Sequence, residues 1–161
     1  MWELKLVDLD LSEHATTCIA TCITNSGRLV IVGLGDGIAL VRFSDGSLSQ
    51  IISRDTDFSN RTIALGTPHH LSDWKTFEVE KIALGTTVLL ATDGISDDLM
   101  PEKYPEFIEW IMQKFGYLNP AERKKGLRKA LLAWPTPLHQ DDKSLAVLSC
   151  PVQIDEIRDS E

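Results

Sequence analysis

The run Val88-Leu89-Leu90-Ala91-Thr92-Asp93-Gly94-Ile95-Ser96-Asp97-Asp98-Leu99 constrains the fold of this chain more than any other segment. Four consecutive apolar residues that stop at a Thr-Asp-Gly corner read as a strand covered on both faces. Gly94 lets the backbone turn sharply at its end. An acid at such a point is held rigidly where the core meets water, and a fixed carboxylate suits a hard cation such as Mg2+ or Mn2+. The same residues also describe a capping Asp in a strand-to-helix turn. The segment by itself leaves both readings open.

The rest of the chain supplies partners for this strand. Thr16 to Thr24 is rich in Thr, Ile and Cys and reads as a strand, followed by the hairpin-type turn Asn25-Ser26-Gly27. Arg28 to Gly35 is a second strand, Asp36-Gly37 a bend or bulge, Ile38 to Phe43 a third strand, and Ser44-Asp45-Gly46 a turn into a fourth at Ser47 to Ser53. This turn spacing predicts an antiparallel meander. Ser53 to Asn60 and Thr67 to Ser72 read as loops, and Trp74 to Ile82 alternates as a half-exposed strand does. The period then changes. Phe107, Ile108, Ile111, Met112 and Phe115 form one helical stripe between Pro105 and Gly116. Asn119, Pro120 and Glu122 open a second helix, Leu127, Ala130, Leu131 and Trp134 give it an apolar face, and Pro135 and Pro137 stop it. Ser144 to Leu148 is a last buried strand. The expected fold class is α+β, with helices over one face of a mainly antiparallel sheet. The unbroken apolar strands Leu29–Val32, Val88–Ala91 and Leu145–Leu148 call for a second sheet beneath it.

With 161 residues the chain makes one domain, expected over 1–152 with a charged tail at 153–161. A net charge of -8 argues against nucleic acid as a partner, because the phosphates would be repelled. No apolar run approaches the roughly 18 residues that a membrane span needs, so no membrane partner is expected. The start Met1-Trp2-Glu3-Leu4-Lys5 lacks the basic and apolar regions of a signal peptide. The three cysteines, Cys18, Cys22 and Cys150, are an odd number, which fits a reducing compartment and a cytoplasmic location. Four residues of strand place Cys18 and Cys22 roughly 13 Å apart on one face. That is too far for a disulfide, and both are expected to be small core residues.

Three acids occupy comparable places. Asp36 follows the second strand, Asp93 follows the Val88 strand, and Asp141 immediately precedes the last one. If these strands are neighbours, their carboxylates share one rim and a divalent cation can be held there with water completing its shell.

At these residues the chain resembles the metal-dependent protein phosphatase 2C family of serine/threonine phosphatases, in its bacterial form. Gly35-Asp36-Gly37-Ile38-Ala39-Leu40, Leu89-Leu90-Ala91-Thr92-Asp93-Gly94-Ile95-Ser96-Asp97 and Asp141-Asp142-Lys143-Ser144-Leu145-Ala146-Val147 are similar to three of its motifs, in the family's order. Thr62-Ile63-Ala64-Leu65-Gly66 is similar to the segment after the flap in bacterial members. The resemblance runs from about residue 15 to 150. It implies a β-sandwich flanked by helices, α-β-β-α, and hydrolysis of phosphoserine or phosphothreonine by a metal-bound hydroxide. It also implies Asp93 and Asp141 as ligands of Mn2+ or Mg2+, Asp36 as a ligand of a third, weaker ion, and a phosphoprotein as partner.

One departure matters. The family's Asp-Gly-x-Gly-Gly motif, whose Asp bridges two metals, is missing: Asp-Gly occurs here at Asp36, Asp45 and Asp93 without the following Gly-Gly. The family's first strands, phosphate-binding Arg and first helix pair also have no counterpart. The expectation is a fold incomplete on its N-terminal side, with weak metal affinity and weak or no activity as this chain. Its uncovered sheet would be buried by self-association or by a missing N-terminal half. The alternative is a non-catalytic module of this fold that binds a partner protein. His139 is a candidate general acid, against the plainer reading of a loop histidine. His69-His70 reads as an exposed loop pair. Lys124-Lys125 and Arg128-Lys129 read as a solvated face paired to the acidic remainder, with contact to an acidic partner as the alternative, and Trp110 and Trp134 as helix-packing residues.

Overall fold

In a computed structural model, which describes residues 14–52, 63–134 and 141–150, the chain folds as two antiparallel sheets with helices on one of them. β1 (Cys18–Ile23) and β2 (Leu29–Leu34) form the first hairpin. Its turn closes through Gly27 N–H to Thr24 O at 2.9 Å, with Gly27 at φ 87°.

The predicted meander ends at the next corner. β3 (Ile38–Arg42) does not pair with β2 but opens a second sheet, in which it hairpins with β4 (Leu48–Ile52). Gly35 and Gly37 make the crossing, at φ 92° and 104°. These are left-handed values that side chains rarely adopt. Space forbids a side chain as well: a Cβ on Gly37 would stand 2.7 Å from Ala91 O and 2.8 Å from Ile19 Cδ1. β5 (Lys75–Val79) then returns to the first sheet beside β2, and β6 (Thr87–Ala91) enters the second between β3 and β7 (Leu145–Ser149). The sheet orders are β1-β2-β5 and β4-β3-β6-β7.

Between the sheets lie Leu29, Ile31, Ala39, Val41, Ile52 and Val88. The opposite face of the second sheet carries Ile38, Leu40, Leu89 and Ala91. These pack under Phe107, Ile108, Ile111 and Phe115 of α2 (Tyr104–Phe115), with α3 (Pro120–Leu132) and Trp134 alongside. β3 and β6 are therefore covered by a sheet on one face and helices on the other, which is why their sequences do not alternate. Leu40 and Leu89 are 0% exposed, and burial of each side chain is worth about 1.5–3 kcal/mol.

Trp134 meets Phe107 edge-on at 5.7 Å and donates its indole N–H to Asp98 at 3.0 Å. Trp110 stacks on Phe107 at 6.0 Å and meets the Phe115 edge at 5.5 Å. Asn119 caps α3, its side chain accepting Glu122 N–H at 3.0 Å. Arg123 reaches back to the end of α2, where its guanidinium donates to the carbonyls of Phe115 (3.0 Å), Gly116 (2.8 Å) and Leu118 (2.9 Å). A single side chain thus serves carbonyls that a helix end leaves without partners, and it does so with a positive charge at the negative end of the dipole.

Two expectations are corrected. β7 is not covered on both faces: Leu145 and Val147 pack under the helices, while Ala146 and Leu148 are exposed. The first sheet is narrower than the second and leaves this flank open. Cys22 is exposed rather than a core residue, because among the described residues no helix lies over the outer face of β1 and β2; Val30 and Val32 are half-buried there for the same reason. Lys124, Lys125, Arg128 and Lys129 are exposed as expected, but no described acid pairs with them. All three cysteines are free thiols. No described helix is long and apolar enough to cross a membrane.

Candidate metal centre

The three acids are delivered to one mouth of the sandwich by its topology. Asp36 occupies the corner between the sheets, and the neighbouring Gly37 packs on Ala91 O. Ile38 pairs with Ala91 in the ladder, so the start of β3 lies beside the end of β6. Ala91 pairs on its other side with Leu145, which brings the segment entering β7 to the same point.

Thr92 fastens these strand ends. Its hydroxyl donates to Asp142 O at 3.1 Å and accepts Ser144 N–H at 3.0 Å, and its own N–H donates to Ser144 O at 3.1 Å. The next two residues, Asp93 and Gly94, begin the single-turn helix α1 (Asp93–Ser96). Gly94 is required by proximity rather than by backbone angle. A Cβ there would lie 2.5 Å from Asp142 O and 3.2 Å from Asp141 O. A cavity of about 240 Å³ opens at this mouth, lined by Thr17, Ile19, Asp36, Leu90, Thr92 and Ser144 among others.

Electrostatics tie the acids together. Burial pushes the Asp93 carboxyl above the usual carboxylate range, and the charges of Asp36, Asp141 and Asp97 push it the same way. The Gly94 N–H, donating to Asp93 Oδ1 at 2.8 Å, holds it back. A half-buried carboxylate facing three like charges is costly to ionise, and a cation among them would relieve that cost. Ser96, one turn on, has its hydroxyl buried without a hydrogen-bond partner among the described residues. Asp141 forms an Asx-type contact, its Oδ1 accepting Asp142 N–H at 2.8 Å, and Lys143 bonds Asp98 at 3.4 Å.

Among the described residues, no three His, Cys, Asp or Glu side chains close into a ready-made cage. The donor types nevertheless suit a hard cation, since the acids at the mouth offer only carboxylate oxygens. Mg2+ in particular keeps several waters and takes only one or two protein carboxylates. His139 lies outside the described residues, as do Thr62 and the tail. His69 is half-buried, with Nδ1 2.8 Å from Thr67 O and its ring against Trp74; His70 is exposed. Neither belongs to the mouth. Sequence reasoning picked out the acids but missed Thr92 as the clamp and Asp97 as a fourth charge. The signal for Asp97 was present, four residues from Asp93 in one helical turn. The two ends of the Thr92 clamp are 50 residues apart and left no local trace.

Residues 3–132 match the family model for protein phosphatase 2C, a span that contains Asp36 and Asp93 and stops short of Asp141. No curated protein matches the chain. Among solved structures, the chain is similar to the catalytic domain of serine threonine protein phosphatase PstP in complex with two manganese ions, with TM-score 0.55, 22% identity, 83% of this chain covered and 57% of that one. A second PstP structure, from Mycobacterium tuberculosis, has TM-score 0.52 and 22% identity over 83% of this chain and 58% of that one. A bacterial serine phosphatase has TM-score 0.58 and 16% identity over 87% and 64%. At these identities the likeness establishes the fold, and the chain spans less than two thirds of each of these relatives.

Proposed function

Because the chain belongs to the protein phosphatase 2C family, we propose that it is a metal-dependent serine/threonine phosphoprotein phosphatase of that type, weakly active or inactive as this chain, with Asp93 and Asp141 as ligands of Mn2+ or Mg2+ and Asp36 as ligand of a weaker third ion. The observation that carries the reading is the convergence of the strand ends that bear Asp36, Asp93 and Asp141: Ile38 and Leu145 both pair with Ala91, and Thr92 bonds Asp142 O. A divalent cation bound there supplies charge neutralisation for the phosphoryl group and activation of an attacking water.

The chain's own residues do the rest. Thr92 holds the Asp93 and Asp141 segments in register. The Gly94 N–H donates to Asp93 Oδ1 and so orients the carboxylate that would hold the ion. Lys143 ties Asp98 to the Asp141 segment, its ammonium 3.4 Å from an Asp98 carboxylate oxygen and donating to Asp141 O at 3.4 Å. The substrate is a phosphoserine or phosphothreonine protein, and a cytoplasmic location belongs to the same reading.

A second reading is a non-catalytic module that binds a partner protein, for which the exposed basic face of Lys124, Lys125, Arg128 and Lys129 would be the contact surface. Two measurements separate them. Calorimetric titration with Mn2+ is expected to show weak binding that Asp93→Ala abolishes; absence of any Mn2+ heat in the parent chain sinks the phosphatase reading. A p-nitrophenyl phosphate assay with Mn2+ is expected to show little turnover. Robust turnover lost in Asp93→Ala would refute the weak-activity part.

A further inference from the structure

A second feature adjoins the metal mouth and shares only its Asp141 edge with it. A groove of about 830 Å³ runs between α3 and the segment that enters β7, within the size range of ligand sites. Leu127 and Leu131 line its α3 wall and Leu145 the facing side. Four basic residues border it, but two are already committed: Arg123 to the carbonyls that end α2, and Lys143 to Asp98 and Asp141 O. Lys124 and Arg128 have no acidic partner among the described residues. They stand four residues apart on a helix and so on one face, next to the apolar stripe of Leu127 and Leu131. Lys125 and Lys129 extend the positive face around the helix.

This is an isolated positive surface on a chain of net charge -8. Such a charge separation repels an acidic partner elsewhere and focuses it on α3. The groove is also polarised, since Asp141 and Asp142 border its end at the metal mouth. A nucleic acid or anionic bilayer, with charge repeated along its length, would meet that acidic end and gain little from leucines. A peptide that alternates carboxylates with apolar side chains matches both wall and floor.

We propose that this groove docks an acidic segment of the phosphoprotein substrate, with its carboxylates on Lys124 and Arg128 and its apolar side chains on Leu127 and Leu131. The substrate assignment rests on the phosphatase reading above; the docking chemistry does not. The chain therefore prefers phosphosites flanked by Asp and Glu, with Lys124 and Arg128 as residues that determine specificity.

The test is fluorescence anisotropy of the full chain with labelled peptides that alternate Glu and Leu, compared with peptides carrying Lys at the Glu positions, each with and without one phosphoserine. The unphosphorylated acidic peptide is expected to bind and the Lys peptide not to. Binding should vanish in about 1 M salt, where charges are screened beyond about 3 Å. Reversing two exposed charges in Lys124→Glu/Arg128→Glu is expected to weaken the acidic peptide about tenfold. Lys81→Glu, in the loop before β6 away from the groove, should change affinity less than twofold, roughly the scale of a single distant surface charge. Should the double reversal lose its circular dichroism spectrum, Lys124→Gln/Arg128→Gln replaces it, with a smaller loss in the same direction expected.

Equal affinity of the folded double variant and the parent overturns the docking site. So does equal affinity for acidic and Lys peptides, or tighter binding of duplex DNA or phosphatidylserine vesicles than of the acidic peptide. Mn2+ calorimetry on the same protein reads the phosphatase assignment separately: if no Mn2+ binds and the acidic peptide still does, the groove stands as a docking site and the substrate assignment falls.

Discussion

Replacing Gly94 by alanine should damage the metal mouth although it adds only one methyl. On an isolated helix the change would help, since Ala is favoured over Gly by about 1 kcal/mol. Here the new Cβ meets Asp142 O at 2.5 Å, roughly 1 Å short of ordinary contact. The obstacle is backbone, and it cannot rotate away. That carbonyl accepts the Thr92 hydroxyl at 3.1 Å, and the same hydroxyl holds Ser144 N–H at 3.0 Å. Relief requires the segment 141–144 to lift from the end of β6. Overpacking of this kind costs about 1–3 kcal/mol, and a lost Thr92 hydrogen bond adds about 0.5–1.5 kcal/mol. Set against the helix gain, the net loss is about 0.5–3.5 kcal/mol. The same displacement carries Asp141 away from Asp93, so Mn2+ affinity should fall at least about tenfold, the equivalent of 1.4 kcal/mol. Urea denaturation reads the first quantity and calorimetry the second. A Gly94→Ala protein as stable as the parent with unchanged Mn2+ affinity would refute the claim that Gly94 is there for close approach.

Two further outcomes follow from the same geometry. Arg123→Ala should cost about 2 kcal/mol in urea denaturation, because a charged donor to the last carbonyls of α2 is lost; Arg123→Lys should not restore it, since one ammonium cannot serve three carbonyls arranged for a fork. A lysine variant as stable as the parent contradicts this. In chelator, Asp93→Asn should melt higher than the parent at neutral pH. The folded-state proton affinity of Asp93 is raised above its unfolded value, so its charge opposes folding at pH above both values. The opposition fades as pH falls through the folded value toward the unfolded one near 3.9, where the two proteins should converge. Melting curves across pH measure it, and an Asn variant less stable than the parent at neutral pH in chelator counts against it.

Much of the secondary structure was legible locally. Asn25-Ser26-Gly27, the stripe of Phe107, Ile108, Ile111 and Phe115, and the Asn119 cap are decided by neighbours a few residues apart, and each lies where its pattern placed it. The acids were legible because each sits at a strand end, a position that the apolar run beside it announces. The meander was misread at Gly35-Asp36-Gly37, since a turn signal does not say whether the next strand pairs with the last or crosses to another sheet. Leu145-Ala146-Val147-Leu148 was misread as doubly covered, since an apolar run does not reveal how wide the facing sheet is.

Composition and periodicity thus determined the elements, their order and the carboxylates at their ends, because these depend on side-chain size, charge and backbone freedom over short spans. Tertiary structure alone decided which elements became neighbours: that Ala91 lies between Ile38 and Leu145, that Thr92 clamps a segment 50 residues away, and that Lys124 and Arg128 border a groove. Such contacts arise from burying the faces of separate elements together, a choice made by the whole chain at once and written in no single stretch of it.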